Sequence, residues 1–166
     1  MAVGIVAFAF GTPDCIPSNR RIAEIAAVAA RASAGQVFTQ IDIPLPPDIR
    51  VTYIYENPNG PPPTLIIAEA AVEWAVAQSL DELRIACAEP HVWRCERDLR
   101  IAVADRGAKL HINVCDGVFE NHESTWFNKE SRQIWTRSKK EWMKRERIMN
   151  YRAAELRGIV VTLSPQ

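Results

Sequence analysis

Apolar positions along this chain follow two alternating rhythms. Short runs with almost no polar interruption, such as Val3-Gly4-Ile5-Val6-Ala7-Phe8-Ala9-Phe10, are separated by longer stretches in which apolar residues return at helical spacing. An uninterrupted apolar run marks a strand buried on both faces, as in a parallel sheet. A return every three or four residues marks an amphipathic helix. After the first strand comes the turn-rich loop Gly11 to Asn19, with Ser18 as the expected N-cap of a helix. That helix places Ile22, Ile25, Ala26 and Ala29 on one face, runs to about Ser33 and stops near Gly35. A second strand covers Val37 to Ile43 and ends at Pro44-Leu45-Pro46-Pro47. Arg50 to Tyr55 is β-branched and aromatic, a third strand.

Asn57 to Pro63 reads as loop, and Thr64 as the cap of a helix carrying Leu65, Ala68, Val72 and Val76 to about Leu80. Leu83 to Ala88 is the fourth strand, Val92 to Arg106 a third helix closed by Gly107, and Leu110 to Cys115 the fifth strand. Residues 116–128 have no clear period. Beyond them Trp135, Trp142, Met149 and Leu156 recur every seven residues, which predicts one long helix over 129–157. Ile159 to Leu163 reads as a short edge strand. Strands that alternate with helices predict a parallel sheet covered on both faces. The expected fold is thus α/β: one Rossmann-like three-layer domain over 1–166, with a mainly parallel five-stranded sheet and a long C-terminal helix.

Composition adds one asymmetry. Net charge is zero over 166 residues, but residues 129–157 hold ten Lys/Arg against four Asp/Glu. The rest of the chain is acidic by the same margin. The tryptophan-bearing basic helix is therefore expected to pack on the acidic body or on a second copy, a homodimer through Trp135, Trp142 and Met149. Nucleic-acid binding, which Trp126, Trp135 and Trp142 among basic residues would also fit, ranks third. No run reaches the roughly 18 apolar residues of a membrane span. Cys15, Cys87, Cys95 and Cys115 include no C-x-x-C pair, and a cytoplasmic, reducing location is expected.

The candidate site follows from topology. All strand C-termini of a parallel sheet share one edge, and ligands bind there. That edge collects Gly11, Thr12, Ser18 and Asn19 after strand one, and Gln40 and Asp42 after strand two. Glu56, Asn57 and Asn59 follow strand three, Glu89, His91 and Arg94 strand four, and Asp116 strand five. Glu89-Pro90-His91-Val92-Trp93-Arg94 places an imidazole and a guanidinium where a buried strand meets a helix N-terminus, a location that favours anions. His91 is the candidate for proton transfer, and Arg94 for pairing with a phosphate or carboxylate. The loop after strand one has neither G-x-G-x-x-G nor G-x-x-x-x-G-K-[ST], so only its backbone N–H groups and Ser18 could meet an anion. Cys15 is a weaker nucleophile candidate without an assignable base. The three histidines lack the spacing of a zinc site, and no metal is expected.

Over about residues 3–115, these features resemble the SanA/YdcF-like family. The resemblance lies in the apolar first strand and its glycine-containing loop, an arginine early in the first helix (Arg20 or Arg21), the Thr64-led helix, and His91-Val92-Trp93-Arg94. Asp42-Ile43-Pro44 stands where the family has a Gly-Gly turn, and Glu69 stands near its expected asparagine. The resemblance implies a Rossmann-like fold and an adenosyl or phosphate ligand, with S-adenosylmethionine or a nucleotide as cofactor. The expected function is binding of a nucleotide-like or other anionic small molecule at the strand edge, as a transferase or hydrolase of an activated group. The expected ligand set is Gly11, Thr12, Ser18, Asn19, Arg20, Glu89 and Arg94, with His91 catalytic. The alternative is a non-enzymatic interaction protein that uses its tryptophan-rich helix.

Overall fold

Five parallel strands form one sheet in the computed structural model, which describes residues 1–54 and 63–155, the last six as backbone only. The strands are β1 (Val3–Ala7), β2 (Gln36–Gln40), β3 (Val51–Ile54), β4 (Glu82–Ala86) and β5 (His111–Val114). Their spatial order is β3-β2-β1-β4-β5. Register is regular: Ile5 of β1 lies between Val37 of β2 and Arg84 of β4. The expected α/β architecture is the observed one.

Order and handedness place the helices. The chain steps one way from β1 to β2 through α1 (Pro17–Ser33). It steps the other way to β4 and β5 through α2 (Thr64–Ala77) and α3 (Val92–Arg106). Right-handed crossovers then put α1 on one face and α2 with α3 on the other. In agreement, α2 packs on α3, and α1 packs on β1, β2 and β4. Ile5, Val6, Leu83 and Ile85 are wholly buried in the central strands. On β4 and β5, Glu82 binds Arg84 (2.9 Å) and Asn113 (2.9 Å), so a polar network interrupts an otherwise apolar strand pair.

β1 ends earlier than its apolar run because side chains take over its amides. Phe8 N–H still reaches the Ala86 carbonyl at 3.0 Å. Ala9 N–H then donates to Gln40 Oε1 (2.9 Å), and Phe10 N–H to Asn19 Oδ1 (2.9 Å). The expected caps also differ. Ile16 is the N-cap of α1, with Pro17 in the first turn, and Pro63 is the N-cap of α2. Ser18 and Thr64 lie inside their helices, and their hydroxyls bond elsewhere. Gly107 closes α3 with φ 60°, as its position predicts.

The expected helix over 129–157 is corrected. Residues 127–138 are irregular apart from a 3₁₀ turn, Ile134–Thr136, and α5 begins only at Lys139 (Lys139–Glu155). Ser131 and Thr136 are buried and bonded into the β1 loop, a use of polar side chains that a continuous solvated helix cannot make. A short helix, α4 (Glu123–Trp126), precedes this segment; His122 caps it by accepting from Ser124 N–H at 3.2 Å. The expected Glu56–Asn59 edge residues, the end of the loop before Pro63, Leu156 and the strand at Ile159–Leu163 lie outside the described residues. Among the described residues no helix is long and apolar enough to cross a membrane.

Candidate functional site

β1 and β4 are neighbours, and the chain leaves them in opposite directions. Their following loops therefore splay apart and open a crevice, the usual ligand position in such sheets. The β1 loop does not line that crevice with free donors. Ser18 Oγ donates to the Phe10 carbonyl at 2.7 Å, and Asn19 Nδ2 to the Gly11 carbonyl at 2.9 Å. Both side chains are fully buried and hold the loop's own backbone. Gly11 adopts φ +93°, a left-handed backbone that glycine tolerates best. A Cβ there would stand 2.8 Å from both Ser131 Oγ and Thr136 Oγ1. Thr12 N–H donates to Ser131 Oγ at 3.4 Å, and Arg132 N–H to the Thr12 carbonyl at 3.0 Å. Residues 131–136 thus cover the loop where a phosphate would meet it in a nucleotide-binding protein.

The open space lies next to it. A cavity of ≈ 50 Å³ is lined by Gln40, Asp42, Thr64, His91, Arg94 and Arg145, with Phe10, Trp135, Trp142 and Met149 among its apolar walls. His91 comes from the turn after β4, Arg94 from the first turn of α3, and Gln40 and Asp42 from the end of β2 and the turn that follows it. Thr64 comes from the start of α2, and Arg145 from α5. His91 is 5% exposed and Arg94 3%. The His91 ring lies 5.2 Å from Trp142, edge to face, and near Phe8 and Phe10.

Arg94 fixes the state of His91. Arg94 Nη2 lies 3.1 Å from His91 Nε2, and a guanidinium can only donate. His91 Nε2 is therefore the acceptor, and the proton of the neutral ring sits on Nδ1. Burial, and then the charges of Arg94 and Arg145, push the imidazole well below its ordinary pKa. Thr64 Oγ1 lies 3.3 Å from the same Nε2.

Charge around the cavity is only partly matched. Arg94 Nη1 pairs with Glu146 Oε1 at 3.0 Å, both side chains largely buried, in a geometry that does not make a hydrogen bond. Burial raises the Glu146 carboxyl above its usual range, and Arg94 pulls it back. Arg145 stacks on Trp135 at 3.7 Å and has its pKa lowered by burial and then by Arg94. Besides Arg94 Nη1, which has only its ion pair with Glu146, three buried donors on the cavity's side chains lack acceptors among the described residues: His91 Nδ1, Arg94 Nε and Arg145 Nε.

Of the predicted site residues, the structure brings only His91 and Arg94 to this cavity, together with the edge residues Gln40 and Asp42. Gly11, Thr12, Ser18 and Asn19 belong to the covered loop. Arg20 and Cys15 are exposed and outside the cavity lining. Glu89 lines a separate groove of ≈ 360 Å³ with Trp93, Trp126, Lys139 and Met143. Arg145, Glu146 and Thr64 were not legible as site residues, because Arg145 and Glu146 read as one more charged pair on a basic helix. The expected dimer surface is corrected in one respect: Trp142 is 2% exposed within its own chain, donating its indole N–H to the Pro90 carbonyl at 3.0 Å.

No family model matches the chain, and no curated protein matches it.

Proposed function

We propose that this protein binds a small oxyanion, or the oxyanion head group of a metabolite, in the cavity between the β1–β4 edge and α5. One observation carries this reading: three buried N–H donors on His91, Arg94 and Arg145, all lining one cavity, have no acceptor among the described residues. Buried polar groups are nearly always hydrogen-bonded, and leaving one unmet costs about 1–3 kcal/mol. An anion in the cavity would supply acceptors for these donors and offset the guanidinium charge that the single Glu146 pair leaves. His91 acts here as a neutral donor rather than a base, since its Nε2 lone pair faces Arg94. A cavity of ≈ 50 Å³ takes a head group. A whole nucleotide or S-adenosylmethionine, the ligands the SanA/YdcF-like resemblance implies, would leave its adenosyl part outside.

The test is a thermal-shift and calorimetric screen of phosphate, sulfate, carboxylates, nucleotides and S-adenosylmethionine. A ligand at a hundred times its Kd adds about 2.7 kcal/mol of stability. That gain is expected in the wild-type protein and not in Arg94→Gln or His91→Ala. An equal gain in all three proteins, or none with any anion, would sink the proposal.

A second reading is an interaction role. It rests on the separate groove, where Trp93 is 58% exposed and Met143 50%. Light scattering over a range of concentrations, with Trp93→Ala beside the wild type, tests it: a concentration-dependent oligomer lost in the variant supports the role.

A further inference from the structure

We infer that Glu146 is a built-in competitor for the anion: its carboxylate holds the Arg94 guanidinium and so sets how tightly the site binds. This rests on the small-oxyanion reading above and concerns the control of that site. Arg94 is buried among three neighbours of unlike kind. His91 Nε2, 3.1 Å from Arg94 Nη2, belongs to a neutral ring and offsets no charge. The Trp142 ring, 4.9 Å from the guanidinium carbon, attracts the cation without neutralising it. Glu146 Oε1, 3.0 Å from Nη1, is its one ion-pair partner among the described residues.

That pair is close but incomplete. Neither Arg94 Nη1 nor Glu146 Oε1 makes a hydrogen bond, so the contact lacks the aligned fork that makes arginine–carboxylate pairs strong. Glu146 gives up solvation for it: its side chain is 12% exposed, and burial raises its carboxyl. The two residues also line different spaces. Arg94 lines the cavity, Glu146 the larger groove, and Trp142 both. An anion in the cavity and the carboxylate at the groove therefore draw on the charge of one guanidinium, and as like charges they oppose one another. The coupling is reciprocal: what Glu146 costs the anion, the anion costs the hold of Glu146 on Arg94.

The experiment is calorimetric titration of the intact protein with sulfate and with acetate at one ionic strength, because salt screens such contacts. It compares the wild type with Glu146→Gln and Glu141→Gln. The second variant removes a charge from the same helix, but Glu141 pairs with Lys144 at 3.1 Å and lines neither space. Glu146→Gln is expected to bind at least roughly tenfold more tightly than the wild type, and Glu141→Gln within about twofold of it. Without added anion Glu146→Gln is expected to melt lower than the wild type, because Arg94 is left buried without its counter-charge, and to gain more from sulfate. Should Glu146→Gln fail to fold, Glu146→Asp replaces it. That variant keeps the charge and draws it back by one methylene, and its affinity is expected to lie above that of Glu141→Gln. Wild-type binding with no tightening in a Glu146 variant beyond that of Glu141→Gln overturns the competitor role and leaves the small-oxyanion reading standing. No binding of either anion by the wild type or the Glu146 variants removes both.

Discussion

The guanidinium carbon of Arg94 lies over the Trp142 ring, 4.9 Å from the ring centroid, and so joins α5 to the first turn of α3. The same indole donates to the Pro90 carbonyl at 3.0 Å. One residue of a charged helix thereby covers the buried histidine and arginine.

Trp142→Ala should cost about 3–5 kcal/mol, the usual penalty for emptying a large aromatic site. Trp142→Phe should cost less, since it keeps the apolar contact and loses mainly the bond to Pro90, about 1 kcal/mol. Urea unfolding of the two variants checks the order. Equal losses would mean that the hydrogen bond, not the packing, anchors α5.

Arg94→Met should destabilise by about 3–5 kcal/mol, because it leaves Glu146 as a buried charge without its partner. Adding Glu146→Leu should recover most of that loss. A double-mutant cycle measures it, and strictly additive losses would show that the two side chains do not interact.

Stability should fall as pH drops below about 6.5, the ordinary histidine value. The folded state holds His91 neutral well below that value, while the unfolded chain takes up a proton there. The unfolded state then binds more protons, so stability is complete above this pH and is lost beneath it. Glu146, raised from 4.5 by burial, pulls the opposite way as pH rises, so the informative quantity is the difference between proteins. His91→Gln should flatten the acid-side decline in urea midpoints measured between about pH 5 and 7. An unchanged decline would assign it to other groups.

Gly11→Ala should destabilise by more than about 1 kcal/mol, because the left-handed backbone and the crowding oppose the new methyl together. Its Cβ would meet Ile16 Cδ1 at 2.7 Å and the Ser131 and Thr136 hydroxyls at 2.8 Å. Hydrogen exchange should show the loss concentrated in 128–138. Protection unchanged there would mean that the segment is held by other contacts.

Hydrophobic rhythm determined the sheet and α1 to α3. A strand buried on both faces must be apolar throughout, and a half-buried helix must be periodic, so these signals are local and survive in one dimension. Chain order with right-handed crossovers also brought Gln40, Asp42, His91 and Arg94 to one edge. Only the tertiary structure decided how that edge is used. Ser18 and Asn19 look like ligand donors in sequence, yet the loop's own carbonyls and amides claim them first, because those groups are buried and nearer. Trp135, Trp142 and Met149 look like one helical stripe, but Ser131 and Thr136 are drawn into the Gly11 loop and break the helix before Lys139. Arg145 and Glu146 gain their place from the packing of Trp142, a contact across 52 residues to Pro90 that no local pattern records.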